Sequence, residues 1–336
     1  MIWIRSDRPR RIGESNRLTL TLIILGSIVI LFGSLHGATL WRAARHEARA
    51  IRSHPPEGQF LTVEGHRLHA VTMGSGPDLV LIHGASGNVR DFTQGLAQEL
   101  AQRYRVILFD RPGLGYSDPI NRTGATIRQQ AEILSAAAAQ LGATRPIVLG
   151  QSYGGAVALA WAVHCADRIS GLVLVAGASQ TWDGPLSRYY RTLSHPWIGP
   201  LVIPYLTAYV PDSVVTAELE SIFTPQLPPA GYSAHIGAGL TLRRACLRAN
   251  ALQRANLNGE IAQLVPLYPQ IQTPTELLHG SADMIVGLPI HSEPLARQIP
   301  KARLTVLPGI GHTPQHNAKP QVIAAIDRAA ARAGLN

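Results

Sequence analysis

The stretch Pro146-Ile147-Val148-Leu149-Gly150-Gln151-Ser152-Tyr153-Gly154-Gly155 constrains this 336-residue chain more than any other. Three apolar residues lead into Gly-x-Ser-x-Gly, and a small-residue helical pattern follows from Ala156 to Val163. Strand, tight turn and helix in immediate succession put Ser152 at the apex, on strained backbone with its hydroxyl exposed. Gly150 and Gly154 fit positions where the strand and helix approach too closely for a Cβ. The pentapeptide alone is a weak signal. Set between a β-branched run and a helix it becomes a strong one.

Runs of the same kind recur along the chain. Leu79-Val80-Leu81-Ile82, Val106-Ile107-Leu108-Phe109 and Gly171 to Val175 are short and wholly apolar, as expected of parallel strands buried on both faces. Phe60 to Met73 reads as a hairpin around Glu64-Gly65. Helices are expected from about Val89 to Arg103 and behind the capping box at Thr126 to Gln129. From Thr181 to about Asn258 the pattern turns helical and rich in Pro, Trp and Tyr, which reads as an inserted cap. Strand and helix then alternate again: Thr275–Leu278, Leu288–Ile299, Leu304–Leu307 and Gln321–Ala333. The expected fold class is α/β, with a mostly parallel central sheet and helices on both faces. The expected division is a core of 58–180 and 259–336 with a helical cap at 181–258.

The N-terminal region is different. Leu18 to Trp41 is 24 residues without a charge. At about 1.5 Å per residue it reaches roughly 36 Å, enough to cross a hydrocarbon layer of about 30 Å. No good small-x-small cleavage site follows, so it reads as an uncleaved single-pass transmembrane helix rather than a signal peptide. It is preceded by a basic segment, 1–17, and followed by a juxtamembrane linker, 42–57, in which Arg42 to Arg52 reads as a short helix along the surface and Pro55-Pro56 as a stiff connection. Five Arg precede the span and four follow closely, a lean toward the N-terminus inside and the α/β domain outside. Residues 1–52 hold nine Arg against Asp7, Glu14 and Glu47, which is six of the nine net positive charges. The basicity belongs to the anchor region, so a nucleic-acid partner is not expected. Cys165 and Cys246 match no metal or redox spacing and read as buried apolar thiols.

A serine hydroxyl needs a base to take its proton, and the base needs a third group to fix its tautomer. His312, in Gly309-Ile310-Gly311-His312 just past the last strand, is placed for the base, ahead of His316. Asp283, in His279-Gly280-Ser281-Ala282-Asp283 past the preceding strand, is placed for the acid, ahead of Asp183. The oxyanion of acyl attack needs two backbone N–H donors. Tyr153, after the nucleophile, and Ala85, in the His83-Gly84-Ala85 loop after the first buried strand, are the candidates. Asp110 and Tyr116 read as structural.

The order Ser152, Asp283, His312, together with Leu81-Ile82-His83-Gly84, Asp110-Arg111-Pro112-Gly113-Leu114-Gly115-Tyr116-Ser117 and Gly311-His312, resembles the α/β-hydrolase family over about residues 58–334. The resemblance implies a cap over the carboxyl edge of the sheet and acyl transfer to water through an acyl-Ser152 intermediate, with no metal or organic cofactor. A small apolar ester is the expected substrate. Ser at the apex, where Asp would stand, disfavours the dehalogenase and epoxide hydrolase branches. Carbon–carbon bond hydrolysis, cofactor-free perhydrolysis and a membrane-anchored binding protein without turnover remain as alternatives. The anchor lies outside the family pattern.

Overall fold

The computed structural model describes residues 12–335. The basic residues Arg5, Arg8, Arg10 and Arg11 lie outside that range. One eight-stranded sheet forms the core: β1 (Gln59–Val63), β2 (His66–Met73), β3 (Asp78–Ile82), β4 (Arg105–Phe109), β5 (Ile147–Gln151), β6 (Gly171–Val175), β7 (Thr275–Gly280) and β8 (Ala302–Leu307). Their order is β1-β2-β4-β3-β5-β6-β7-β8. β1 and β2 are antiparallel to their neighbours, and β4 through β8 run parallel. The β1–β2 hairpin turns at Glu64 and Gly65, both at positive φ, as a tight turn matching the twist of the strands requires.

The strands are apolar on both faces because both faces are covered. Val80 and Ile82 of β3 point with Val148 and Leu172 toward the helices Ile127–Gln140 and Tyr153–His164. Leu79 and Leu81 point the other way, with Leu149 and Val173, toward Leu96–Leu100 and Lys319–Arg332. A strand that alternates direction at every residue and meets helices on both sides favours apolar side chains on both faces. Thr126 opens its helix as read, accepting from the Gln129 N–H while Gln129 reaches back to the Thr126 N–H. The helix expected over 89–103 is two short ones, Arg90–Thr93 and Leu96–Leu100, because Gly95 between them sits at φ 99°.

Helices alone fill the segment between β6 and β7. The last of the cap, Arg244–Leu264, passes the expected boundary at 258 without a break. Neither Gly nor Pro interrupts it until Gly259, and Gly259 stands in open space where the missing side chain costs no packing.

The N-terminal helix also runs further than the sequence reading placed it. Ile12–Ser53 is one helix, continuous from the apolar span through the segment read as a linker. Nothing between Trp41 and Ser53 breaks it, since Arg and Ala are strong helix formers. Its two halves have different surroundings. Leu22, Ile30, Leu31 and Phe32 are exposed, whereas Thr39, Ala43 and Ala50 are buried against the cap. Glu47 receives two N–H bonds from the guanidinium of Arg244, at 2.9 and 2.7 Å, and one from the Arg244 backbone.

Candidate active site

β5 ends at Gln151, and Ser152 takes φ 53°, ψ −119° before the helix starts at Tyr153. A non-glycine residue is strained there, at a cost of order 1–3 kcal/mol, and must be held. Three backbone bonds hold it. The Ser152 N–H donates to Val175 O (3.1 Å), and Ser152 O accepts from Gly155 N (2.9 Å) and Ala178 N (3.0 Å). A Cβ on Gly154 would overlap the carbonyl of Ile82, and one on Gly150 would overlap that of Gly154. The two glycines therefore let the helix start directly against β3 and β5.

Ser152, His312 and Asp283 come together in one hydrogen-bonded line. His312 Nε2 lies 2.9 Å from Ser152 Oγ, and His312 Nδ1 lies 2.8 Å from Asp283 Oδ2. A carboxylate only accepts, so Nδ1 carries the proton and Nε2 is left with a lone pair facing the hydroxyl. Asp283 Oδ1 accepts from the backbone N–H groups of Ile285 (2.8 Å) and Val286 (2.9 Å). Burial works to raise this carboxyl, but hydrogen bonds from His279 and His312 and from the Val286 backbone outweigh it and hold it well below the usual carboxylate range. The rivals are elsewhere. His316 pairs with Asp91 at 2.9 Å, and Asp183 is exposed.

His279 was not singled out from the sequence. It is fully buried behind Asp283. Its Nε2 lies 2.6 Å from Val286 O and 3.2 Å from Asp283 Oδ2, so Nε2 bears the hydrogen, and Nδ1 accepts from Ser292 Oγ at 2.6 Å.

The loop after β3 is held by Arg111, which the sequence reading also left without a role. Arg111 has no exposed surface. Its Nε donates to His83 O and its Nη2 to Gly84 O, both at 3.0 Å, and its Nη1 to Gln130 Oε1 (2.9 Å) and Gln253 Oε1 (2.7 Å). Its guanidinium carbon stands 4.2 Å from the centre of the Tyr153 ring. Burial brings the group down to about 10, still cationic at neutral pH. His83 Nδ1 donates to the same Gly84 carbonyl (2.9 Å), and His83 Nε2 accepts from Arg111 N (3.0 Å). In a planar trans peptide the N–H points opposite to the C=O. Fixing Gly84 O toward Arg111 therefore turns the Ala85 N–H away from it. Tyr153, as first residue of its helix, has an N–H with no partner inside that helix.

The cap reaches the same loop. Asn250 accepts from Ser86 N and donates to Ser86 Oγ, both at 2.8 Å. The signal in the sequence was a buried-strand run followed at once by two opposite charges, Asp110-Arg111, which cannot both be solvated at the edge of a packed sheet. Asp110 is the structural partner expected: it accepts from Val89 N and Tyr116 N and pairs with His69 at 2.7 Å. Cys165 and Cys246 are both buried and free. A polar cleft of about 590 Å³ bordered by Glu132, His164 and Arg168 lies elsewhere and contains none of Ser152, Asp283 and His312.

This geometry has many relatives. The chain is 28% identical to a pimeloyl-[acyl-carrier protein] methyl ester esterase of Nitrosomonas europaea, over 77% of this chain and 98% of that one. An α/β hydrolase fold protein from Burkholderia ambifaria superposes with a TM-score of 0.65 at 26% identity, over 80% of this chain and 96% of that one. The crystal structure of a membrane phospholipase A superposes with a TM-score of 0.61 at 23% identity, over 94% of this chain and 99% of that one. The profile of the alpha/beta hydrolase fold matches residues 77–319, and the chain belongs to that family of hydrolases.

Proposed function

We propose that this hydrolase cleaves carboxylic esters through an acyl-enzyme on Ser152 and is held at a membrane by its N-terminal helix. The observation that carries the chemistry is the 2.9 Å contact between Ser152 Oγ and His312 Nε2, with Ser152 at φ 53°, ψ −119°. As Ser152 Oγ attacks the acyl carbon, His312 Nε2 takes its proton. Asp283 stays ionised and stabilises the imidazolium that forms. The negative charge on the former carbonyl oxygen falls between the N–H groups of Tyr153 and Ala85, and Arg111 fixes the second of these and stacks on the first residue's ring. His312 then gives its proton to the departing alcohol oxygen. A water, deprotonated by the same Nε2, releases the acid and restores Ser152. The esterase relative in Nitrosomonas europaea supports an ester as substrate.

The anchoring rests on a second observation. Residues 19–35 form an apolar helix whose side chains the rest of the chain leaves exposed. So much uncovered apolar surface is unfavourable in water and suited to lipid. Removal of the helix as a signal peptide fits poorly with Thr39 and Ala43, which are wholly buried against the cap just beyond it. Full-length protein in detergent, assayed against p-nitrophenyl esters of graded acyl length, tests the activity. Turnover by wild type and none by Ser152→Ala is expected. Equal turnover by both rejects the assignment. Extraction from membranes by detergent and not by carbonate tests the anchor.

A further inference from the structure

The cap helix Ile198–Tyr209 carries an apolar stripe that the described residues leave largely exposed. Trp197, Leu201, Tyr205 and Tyr209 recur at every fourth position and are 78%, 61%, 37% and 49% exposed. Ile198 widens the stripe. The opposite face is buried already, with Ile203 packed among Leu193, Leu242 and Leu247. A helix with one face in a core ordinarily shows charges on the other. This one has no charged residue at all.

Its neighbour is the N-terminal helix, and the two run in the same direction. His36 Nδ1 lies 3.4 Å from Tyr205 Oη, Thr39 Oγ1 lies 3.2 Å from Tyr209 Oη, and His46 Nε2 lies 2.9 Å from Asp212 Oδ1. One turn back from Tyr205 is Leu201, and one turn back from His36 is Phe32. The early end of the cap helix thus lies level with the apolar span, and its late end level with the charged segment. Polarity is graded along that axis. Trp197, Ile198 and Leu201 come first, then the hydroxyls of Tyr205 and Tyr209. Arg42 stands over the Tyr209 ring at 5.2 Å and Arg45 over Trp41 at 4.5 Å. Asp212 and the Glu47–Arg244 pair follow. Hydrocarbon, an aromatic belt with basic side chains, then water is the succession met on leaving a bilayer.

We infer that the stripe docks in the lipid bilayer beside the anchor, with Trp197, Ile198 and Leu201 among the acyl chains and Tyr205 and Tyr209 at the headgroups. The occupant is lipid because the stripe continues the exposed surface of the N-terminal helix and changes polarity with it. A second copy of the chain would need no such gradient. The inference rests on the reading of that helix as a membrane anchor.

The test uses the full chain in phosphatidylcholine vesicles, with Cys165 and Cys246 replaced by Ala and one polarity-sensitive fluorophore attached through Ile30→Cys, Leu201→Cys or Arg303→Cys. Lipids carrying a doxyl quencher on the acyl chain are then added. Quenching at 30 and 201 and none at 303 is the expected result. Quenching at 30 without quenching at 201 overturns the docking and leaves the anchor standing. Absence of quenching at 30 overturns the anchor and the docking with it. A label at 201 that is unquenched and crosslinks to another copy shows that a second chain covers the stripe, which also overturns the proposal.

Discussion

The carboxyl edge of the sheet and the joint between the N-terminal helix and the cap are both polar seams in an apolar molecule, and they are built by opposite means. At the edge, backbone does most of the work: a strained serine, glycines that admit a close helix, and carbonyls and N–H groups that aim one another. At the joint, side chains do it, across sequence separations of 166 to 197 positions, as in Arg42 to Ala208 and Glu47 to Arg244. Chemistry depends on the first seam to fractions of an ångström. The proposed seating of the chain at a membrane depends on the second. Changes at the edge should therefore act on turnover, and changes at the joint on stability.

The sharpest separation is within the edge itself. Ser152→Ala and His312→Ala should each lower kcat by about 10⁴ to 10⁶ with the thermal transition unmoved, because the triad works as a unit. Asp283→Asn should lower it by about 10⁴, by holding the wrong tautomer of His312. Asp183→Asn should change little, since that carboxylate is exposed and His312 Nδ1 is already paired with Asp283. Steady-state kinetics on one ester ranks all four.

Arg111 extends the edge into residues that do not touch substrate. Arg111→Lys keeps a cation but loses the fork that grips His83 O and Gly84 O, so the Ala85 N–H is no longer aimed. A fall in kcat of about 10² to 10³, with KM much less affected, is the size expected for one misplaced oxyanion donor. A change in stability with kcat intact would make Arg111 a packing residue only.

How much of this was legible follows the same division. The elbow, the strands and the triad could be read because each depends on short-range rules: β-branched runs, glycine at close approaches, and histidine or aspartate one step past a strand. His279 could not, because its partners Asp283, Val286 and Ser292, though near in sequence, are aimed at one ring only by the folded turn. The role of Arg111 could not, because its side-chain partners lie 19 to 142 positions away. Asn250 and Gln253 were hidden for the same reason, lying on a cap helix whose seating no local pattern encodes. The joint was misjudged for a related cause. Arg42 to Arg52 reads as a short helix along the membrane surface within the juxtamembrane linker, and the partners that bury Ala43 and Ala50 come from beyond residue 200.

Acid should weaken the edge in a defined window. Burial, followed by the charge of Arg111, lowers His83 to about 4, against about 6.5 for the unfolded chain. Between those values only the unfolded state binds the proton. The contribution of His83 is complete above pH 6.5 and is lost as pH falls toward 4, to a total of about 3 kcal/mol. His291, lowered to about 4 by burial and then by neighbouring His279, acts in the same window with the same sign. Denaturant midpoints measured from pH 7 to 4 should fall, and His83→Asn should flatten the slope. The NMR signal of His83 should stay that of the neutral Nδ1–H ring until about pH 4.

The smallest effects belong to the joint. Removing residues 1–34 should leave the packed half of the helix in place and the transition temperature close to that of the full chain. Removing residues 1–52 also strips Thr39, Ala43, Glu47 and Ala50 from the cap and should lower it by about 5 °C or more. Glu47→Gln alone should cost about 0.5–1 kcal/mol, because the pair with Arg244 is partly open to solvent. Each is read by calorimetry, with kcat on a short ester as the companion measurement. A large fall in kcat from Glu47→Gln would mean that the two seams are not independent.

The central claim is that Ser152 is the activated nucleophile. Full-length protein treated with a fluorophosphonate, digested and sequenced by mass spectrometry, tests it most directly. One phosphonyl group per chain on Ser152, absent after Ser152→Ala and formed far more slowly after His312→Ala, is the predicted result. Absence of an adduct on Ser152 in folded wild-type protein, or an adduct on another residue that survives Ser152→Ala, would contradict it.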